Sequence, residues 1–189
     1  MQANLAALDG VLDCVVLEIY TNDPQVQYGI TLTAHSVAVC IVGGDDDAIA
    51  QTISERKSAG GGTVGTTQVT YVDTEHFNAT YTYNIVRPTA VDFDVQVTFF
   101  ELDMNPTTQD LVKQAFVSDF LGELENARDV LAATVYASRF YQCIQNVTDS
   151  PIMQIQIGIN GGSLGASVEI PADESPTIST DSITLNFGG

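Results

Sequence analysis

Hydrophobic residues follow two periods along this chain, and the period separates predicted strands from predicted helices. Residues 11–20 and 37–42 are dense in β-branched and other apolar side chains, which is typical of strands. Because residues 37–42 are apolar almost without interruption, we predict a strand that is covered on both faces. Residues 69–72 and 81–86 also have strand character, and we expect these two segments to pair with each other.

A glycine pair stands between the second of these strands and a predicted helix. Gly43 and Gly44 let the chain turn sharply, and one of the three aspartates at 45–47 is well placed to cap the helix that follows. The basic residues at 56–57 stand near the end of the helix, where its dipole favours cations. The apolar stripe of this helix consists of Ile49, Ala50 and Ile53. The glycine-rich residues 58–65 are predicted to form a loop.

Apolar and polar residues alternate more regularly in the second half of the chain. The alternation runs over residues 91–99 and again over residues 153–159, and each segment predicts a strand with one solvated face. Shorter strands are predicted at residues 167–170 and 182–187. An acidic, proline-containing loop at residues 171–176 is expected to connect these two shorter strands.

Two helices are predicted between the alternating segments. Thr107 or Thr108 is expected to cap the first helix, with Asp110 in its first turn. Its core stripe consists of Leu111, Val112, Ala115, Phe116 and Phe120. The second helix is predicted over residues 135–147, after a polar connection at residues 122–129. Its stripe consists of Tyr136, Phe140, Cys143, Ile144 and Val147.

These elements predict an α+β fold that is made of two small α+β units. Arg87 and Pro88 interrupt the strand pattern, so we place the domain boundary there, between residues 1–88 and residues 89–189. The second unit is expected to be a mostly antiparallel sheet with two helices on one face. We also hypothesise that residues 43–57 pack at or near the join between the two units.

The charge of the chain argues against one large class of functions. The sequence has 24 acidic and 6 basic residues, a net charge of −18. Nucleic-acid-binding proteins neutralise phosphates with Lys and Arg, so we predict no nucleic-acid partner. The acidic residues are dispersed along the chain, which indicates a solvated surface. The alternative is a surface that binds a basic partner.

Hydropathy argues against a membrane partner. No apolar run approaches the ~20 residues that a membrane-spanning helix needs. The first residues, MQANLAALDG, have neither the basic segment nor the long apolar segment of a signal peptide. We therefore expect a soluble chain that is made in the cytoplasm.

The cysteines and histidines do not predict a metal site. Cys14, Cys40 and Cys143 are odd in number, far apart and set in apolar surroundings, so we expect buried free thiols in a reducing compartment. His35 and His76 are the two histidines, and the sequence has no CxxC pair. Apolar neighbours raise the pKa of a thiol rather than activating it, so a cysteine nucleophile is not predicted.

The glycine clusters do not predict a nucleotide site either. Gly60 and Gly65 have the spacing of a phosphate-binding loop, but Thr66 stands where such a loop needs Lys, and the cluster follows a helix instead of a strand. The aspartates at 45–47 would repel a phosphate at the preceding turn, and they lack the register of an EF-hand calcium loop. We therefore predict no enzyme activity, with no catalytic residue, no cofactor-binding residue and no metal ligand.

Several short stretches taken together carry a family resemblance. The most specific is the run VGGDDDAIA at residues 42–50 followed by KSAG at residues 57–60. Matching stretches also include LDGV at residues 8–11, AHSVAV at residues 34–39 and IVRP at residues 85–88. In their order these motifs resemble the middle and C-terminal parts of the baseplate J-like proteins of contractile-tailed bacteriophages. Members of that family usually carry a substantial N-terminal portion before the first strand matched here.

The resemblance implies a structural role in a virion. J-like proteins are wedge components that pair with copies of themselves and with other baseplate wedge and hub proteins, forming a ring around the tail hub. A homo-oligomer in the tail baseplate, assembled in the host cytoplasm, is thus expected, with no cofactor. Two alternatives are a peripheral receptor-binding or adhesin module, suggested by the acidic, loop-rich second half, and an envelope hydrolase, which only the acidic residues support.

Overall fold

The computed structural model describes residues 1–75, 77–123 and 131–188. Helices and several small, mostly antiparallel sheets are both present, so the predicted α+β class is confirmed. Unit 1 comprises Met1–Thr89 and Pro171–Ser175, and unit 2 comprises Ala90–Ile170 and Pro176–Gly189. None of the described helices is long and apolar enough to cross a membrane.

The segment Pro171–Ser175 is the main difference between these units and the predicted domains. It lies in the part of the chain that the sequence assigned to the second domain, but its contacts belong to unit 1. The Ala172 N–H donates to the Tyr28 carbonyl at 2.8 Å, and the Thr89 N–H donates to the Asp173 carbonyl at 2.8 Å. These long-range backbone bonds are not readable from local sequence. The boundary after Pro88 stays a prediction.

Unit 1 is built around a three-stranded sheet whose central strand is β4. The elements of unit 1 are α1 (Gln2–Ala6), β1 (Val11–Glu18), β2 (Gln25–Gln27), β3 (Ile30–Leu32), β4 (Ser36–Gly43), α2 (Asp46–Arg56), β5 (Gly62–Val64), β6 (Thr67–Asp73) and β7 (Ala79–Ile85). β1 pairs antiparallel with β4, and β5 pairs parallel with it. The first six residues of β4 are all buried, which confirms the prediction of a strand covered on both faces.

Helix α2 covers the core of unit 1. Its buried residues are Ile49, Ala50 and Ile53, as the apolar stripe predicted. They share one cluster with Leu5 of α1, Ile41 of β4 and Val69 of β6. Strands β6 and β7 form the expected antiparallel hairpin, in register from Thr67 opposite Ile85 to Asp73 opposite Ala79.

The prediction that residues 58–65 form only a loop is wrong in part. Gly62–Val64 forms β5, which pairs with the first three residues of β4. A three-residue segment that begins with glycine has low intrinsic strand preference. Its conformation comes from the backbone bonds that the buried edge of β4 offers, and the Gly62 N–H also donates to the His35 carbonyl at 3.1 Å.

Unit 2 is organised around the long strand β8. The remaining elements are β8 (Thr89–Phe99), α3 (Pro106–Phe120), β9 (Thr134–Tyr136), a 3₁₀ turn (Ala137–Phe140), α4 (Tyr141–Gln145), β10 (Ile152–Ile159), β11 (Ser167–Glu169), β12 (Glu174–Thr177), a second 3₁₀ turn (Thr180–Ser182) and β13 (Ile183–Phe187). β8 pairs antiparallel with β10 and parallel with β13, and it also pairs with β12. β11 pairs with β9 in a separate two-stranded sheet.

The alternation in β8 separates a core face from a more solvated face, as predicted. All five apolar residues of the alternation are buried, namely Val91, Phe93, Val95, Val97 and Phe99. Phenylalanines from α3 and the 3₁₀ turn complete this core. The ring centroids of Phe116 and Phe140 are 4.1 Å apart, and those of Phe93 and Phe120 are 4.5 Å apart. Such aromatic contacts add to the stabilisation that burial itself provides.

The predicted cap and stripe of α3 need correction. The cap is Asn105, whose Oδ1 accepts the Thr107 N–H at 2.8 Å, so Thr107 and Thr108 lie inside the helix. Pro106 occupies the first helical position, where its missing N–H costs nothing and its fixed φ suits the helix. Leu111 is 47% exposed, whereas Asp119 is buried. The helix therefore turns a somewhat different face inward than its apolar residues indicated.

The predicted helix over residues 135–147 is also wrong. Its first part is the strand β9, and only Tyr141–Gln145 is α-helical. Val135 is paired with Val168 of β11, and strand pairing of this kind overrides a helical spacing of apolar residues. Tyr136, which was placed in the apolar stripe, is 58% exposed.

Two smaller corrections concern β10 and β12. The register of β10 shifts between Ile152 and Gln154, and Met153 at this irregularity is 38% exposed instead of buried. The acidic loop predicted at residues 171–176 contains the start of β12. Of the predicted polar connection at residues 122–129, residues 124–129 lie outside the described residues.

Candidate interaction surfaces

The glycine turn between β4 and α2 is closed by backbone contacts. Gly43 and Gly44 both have left-handed backbone conformations, with φ of +75° and +77°. The Gly44 N–H donates to the Gly10 carbonyl at 2.9 Å. A Cβ atom on Gly43 would lie 2.2 Å from that same carbonyl oxygen. The glycines thus serve close approach of two backbone segments, and the Gly44 N–H is already bonded within the chain.

The three aspartates after this turn have different surroundings. Asp45 is the helix cap, and its Oδ1 accepts the Ala48 N–H at 3.0 Å. Asp46 forms an ion pair with the guanidinium of Arg87. Asp47 lies exposed in the first turn, where the helix dipole favours a negative charge. The predicted cap is therefore confirmed and assigned to Asp45.

Arg87 connects the glycine turn to the end of the β6–β7 hairpin. Besides its ion pair with Asp46, its guanidinium donates to the carbonyls of Ile41 at 3.3 Å, Gly44 at 3.4 Å, and Gly43. A planar guanidinium with five donors suits several acceptors at once. In the sequence Arg87 stands out only as a residue of the predicted domain boundary, and no local pattern indicates this role.

A polar cleft of about 350 Å³ lies beside the glycine-rich residues 58–61. Its walls include Glu18, Tyr20, His35 and Lys57. The His35 ring is hydrogen-bonded to Asn22 Oδ1 at 2.8 Å, and Lys57 Nζ donates to the Ser58 carbonyl at 3.1 Å. Tyr20 is 82% exposed. These groups suit hydrogen bonding to a polar ligand or partner.

A second groove, of about 470 Å³, lies between α2 and β6. Its lining residues are Asp45, Asp47, Ala48 and Gln51 on the helix and Thr70, Tyr71 and Val72 on the strand. Partial burial raises the pKa of the Tyr71 phenol, and the carboxylates of Asp73, Glu55 and Glu75 raise it further. Three carboxylates thus place negative charge near the Tyr71 ring.

Three carboxylates of unit 2 differ in their exposure and in their contacts. Asp94 Oδ2 accepts the Gly161 N–H at 2.7 Å and so fixes the turn after β10. Its neighbour Asp92 is exposed to solvent, as predicted. Asp119, which is 3% exposed, lies 3.5 Å from Arg139 Nε. The position of Asp119 between the buried Phe116 and Phe120 was the signal in the sequence that could have revealed a buried charge.

Two apolar side chains are exposed in the loop where β8 ends. Phe100 is 59% exposed and Leu102 is 88% exposed. Backbone bonds hold this loop in place, since the Phe100 N–H donates to the Pro151 carbonyl at 3.1 Å and the Gly188 N–H donates to the Glu101 carbonyl at 2.7 Å. Contact with another molecule would remove these apolar side chains from water, which is favourable.

The three cysteines are buried free thiols, as predicted. Burial raises the pKa of Cys14, Cys40 and Cys143 to about 12 in each case. A nucleophilic cysteine requires a thiolate near neutral pH. These thiols are therefore protonated at neutral pH and are not nucleophiles.

The described residues contain no group of three or more His, Cys, Asp and Glu side chains that could hold a metal ion. His76 lies outside the described residues. His35 lines the polar cleft, and its ring is hydrogen-bonded to Asn22. The predictions of no metal ligand, no cofactor and no catalytic residue stay predictions.

No protein-family model matches this chain, and no curated protein matches it. The resemblance to baseplate J-like proteins consequently rests on motifs in the sequence. The most specific of these motifs, over residues 42–60, coincides in the structure with the end of β4, the glycine turn, α2 and the wall of the polar cleft.

Proposed function

We propose that this chain is a non-enzymatic wedge component of a contractile phage tail baseplate. In this role it assembles with copies of itself and with other wedge and hub proteins into a ring around the tail hub. The observation that carries the proposal is the pair of motifs at residues 42–50 and 57–60. In sequence and in order they resemble the corresponding motifs of the baseplate J-like proteins.

The internal contacts of these motifs support a structural role. Asp45 caps a helix, Asp46 binds Arg87, and Gly43 and Gly44 serve a close backbone contact. These four residues thus stabilise the local geometry of the turn and of the helix that follows it. Protonated thiols with pKa values of about 12 also speak against cysteine catalysis.

The position of this chain in purified tails tests the proposal. We expect electron-microscopy density for this chain, or the label on a tagged copy of it, in an inner ring around the tail hub. Size-exclusion and pull-down experiments should also show self-association or capture of another tail protein. A chain that stays monomeric at high concentration and retrieves no tail protein would contradict the wedge role.

The second candidate is a peripheral receptor-binding module. The exposed Phe100 and Leu102 in the loop after β8 favour it, because burying these apolar side chains against another molecule would be favourable. In that case labelling would appear at the distal tip of the tail, and the isolated chain would bind host cells.

A further inference from the structure

The groove between α2 and β6 runs along the edge of a strand. Three consecutive residues of β6 line it, namely Thr70, Tyr71 and Val72. Successive side chains of a strand point to opposite faces. Three consecutive residues can therefore line the same groove only if the groove runs along the edge of the strand. Among the strands of the described residues, β6 pairs with β7 alone.

This edge offers backbone groups to a partner. In an antiparallel pair, alternate residues direct their N–H and C=O groups away from the paired strand. An edge of this kind is a template for a further strand. Several bound peptides in other proteins add to a sheet edge in this manner, with the backbone supplying affinity and alternate side chains supplying specificity.

The helix wall of the groove is acidic. Asp47, Gln51 and Glu55 are spaced at intervals of four residues and therefore share one face of α2. Asp47 and Gln51 line the groove, and Glu55 lies one helical turn beyond them, where its Oε1 accepts a hydrogen bond from Gln51 Nε2 at 3.0 Å. Asp45 also lines the groove, and no basic residue is among its described lining residues. Since Asp45 bonds to Ala48 as the helix cap, Asp47 is the lining carboxylate on this wall that is best placed to meet a ligand cation.

We propose that this groove binds an extended basic segment of a different protein, which adds a strand along β6 and places Lys or Arg against Asp47 and Glu55. The spacing is suitable. Eight residues of helix rise about 12 Å, and side chains four residues apart on a strand are about 13 Å apart. A segment with basic residues at positions i and i+4 therefore matches both carboxylates.

A second copy of this chain does not fit as the occupant. The chain has 6 Lys and Arg residues against 24 acidic residues. None of the strands β1 to β13 contains Lys or Arg. Because none of these thirteen strands supplies basic residues, we assign the occupant to a different protein. The groove would bind such a segment whether or not the chain is a baseplate protein.

Titration of the isotope-labelled full chain with a synthetic peptide tests this inference. The probe is Val-Lys-Val-Thr-Val-Lys-Val with blocked ends, at low salt. Amide shifts should cluster at residues 67–73 and in α2. Asp47→Asn and Glu55→Gln should each weaken binding about threefold, in the range of an exposed ion pair. The matched control is Asp110→Asn, an exposed carboxylate on α3, which should leave binding unchanged.

Two further peptides separate strand addition from simple charge attraction. In one peptide the odd-numbered residues carry N-methyl groups, and in the other peptide the even-numbered residues carry them. Because alternate N–H groups of a strand point to opposite edges, only one of the two peptides loses its hydrogen bonds to β6. One peptide should lose binding at least about tenfold and the other should retain it. Equal binding by both peptides would overturn the proposal. The same holds for equal binding by a peptide with Glu in place of Lys, or for the absence of shifts in β6.

Discussion

Arg87 forms an ion pair with Asp46, the first residue of α2, and donates to three carbonyls around the preceding turn with the same guanidinium. The Asp46 side chain is 58% exposed, so the ion pair itself contributes less than the carbonyl bonds. Arg87 therefore acts mainly through its hydrogen bonds to carbonyls, which hold the end of β4 to the start of α2.

Replacing Arg87 should loosen this part of unit 1. We expect Arg87→Ala to lower the free energy of unfolding by about 1.5–3 kcal/mol, as for hydrogen bonds to a charged group. Arg87→Lys should recover only part of this, because an ammonium lacks the planar fork. Hydrogen-exchange mass spectrometry of β4 and α2 under increasing urea measures the effect. The control is Arg56→Ala at the end of α2. An equal effect of both variants would contradict the role of Arg87 in holding β4 to α2.

The two glycines Gly43 and Gly60 allow a matched test of the close backbone contact. Both have positive φ, but a Cβ on Gly60 would meet nothing within 4 Å, whereas a Cβ on Gly43 would overlap the Gly10 carbonyl. Gly60→Ala should cost about 1–2 kcal/mol of unfolding free energy from backbone conformation alone. Gly43→Ala should cost clearly more, as measured by urea denaturation. Similar values for the two variants would show that the turn relaxes without strain.

The cap of α3 can be tested by comparing variants of Asn105 and Thr107. Asn105→Ala should lower the free energy of unfolding of unit 2 by about 1 kcal/mol, because the Thr107 N–H loses its acceptor. Thr107→Ala, at a position first expected to be the cap, should change it by less than about 0.5 kcal/mol. Exchange protection of the first turn of α3 is the readout, and the reverse order of effects would contradict the assignment.

Replacing a buried phenylalanine of unit 2 should lower the free energy of unfolding much more than replacing an exposed one. Phe116 is fully buried and stacks on Phe140, whereas Phe100 is 59% exposed. Phe116→Ala should cost about 3–5 kcal/mol through lost burial and a residual cavity. Phe100→Ala should stay within about 0.5 kcal/mol. Urea denaturation with hydrogen-exchange readout in β8 compares them, and a large loss in Phe100→Ala would indicate an unrecognised contact.

The buried thiols predict a pH dependence at alkaline pH. Burial raises the pKa of Cys40 from 9.0 to about 12, so the folded state keeps a proton that the unfolded state has lost. The stability that this thiol contributes is fully present below about pH 9 and is lost as the pH rises toward 12. Urea unfolding at several pH values above about 8 should show this decline. A Cys40→Ala variant should show a shallower decline, and an unchanged slope would contradict the prediction.

The candidate surfaces could be anticipated only in part from the sequence. The cap at Asp45 and the turn at Gly43 follow from residue types that act on their immediate neighbours. The groove could not be anticipated, because it depends on which edge of β6 faces α2. The contacts of Arg87 with Ile41 and Asp46 likewise join residues more than forty positions apart.

The sequence by itself determined the elements whose pattern is strong and local. These are the buried strand β4, the capped helix α2, the β6–β7 hairpin and the alternating strand β8, with the α+β class that they imply. Periodicity, capping and turn chemistry act over a few residues, so they can be read along the chain.

Tertiary structure alone decided the short strands β5, β9 and β12. Each has three or four residues and too little intrinsic preference to specify its own conformation. Val64 is a strand residue because Ala38 lies beside it, and Val135 is one because Val168 does. Their backbone bonds come from partners far away in the sequence, and only the folded chain brings those partners together.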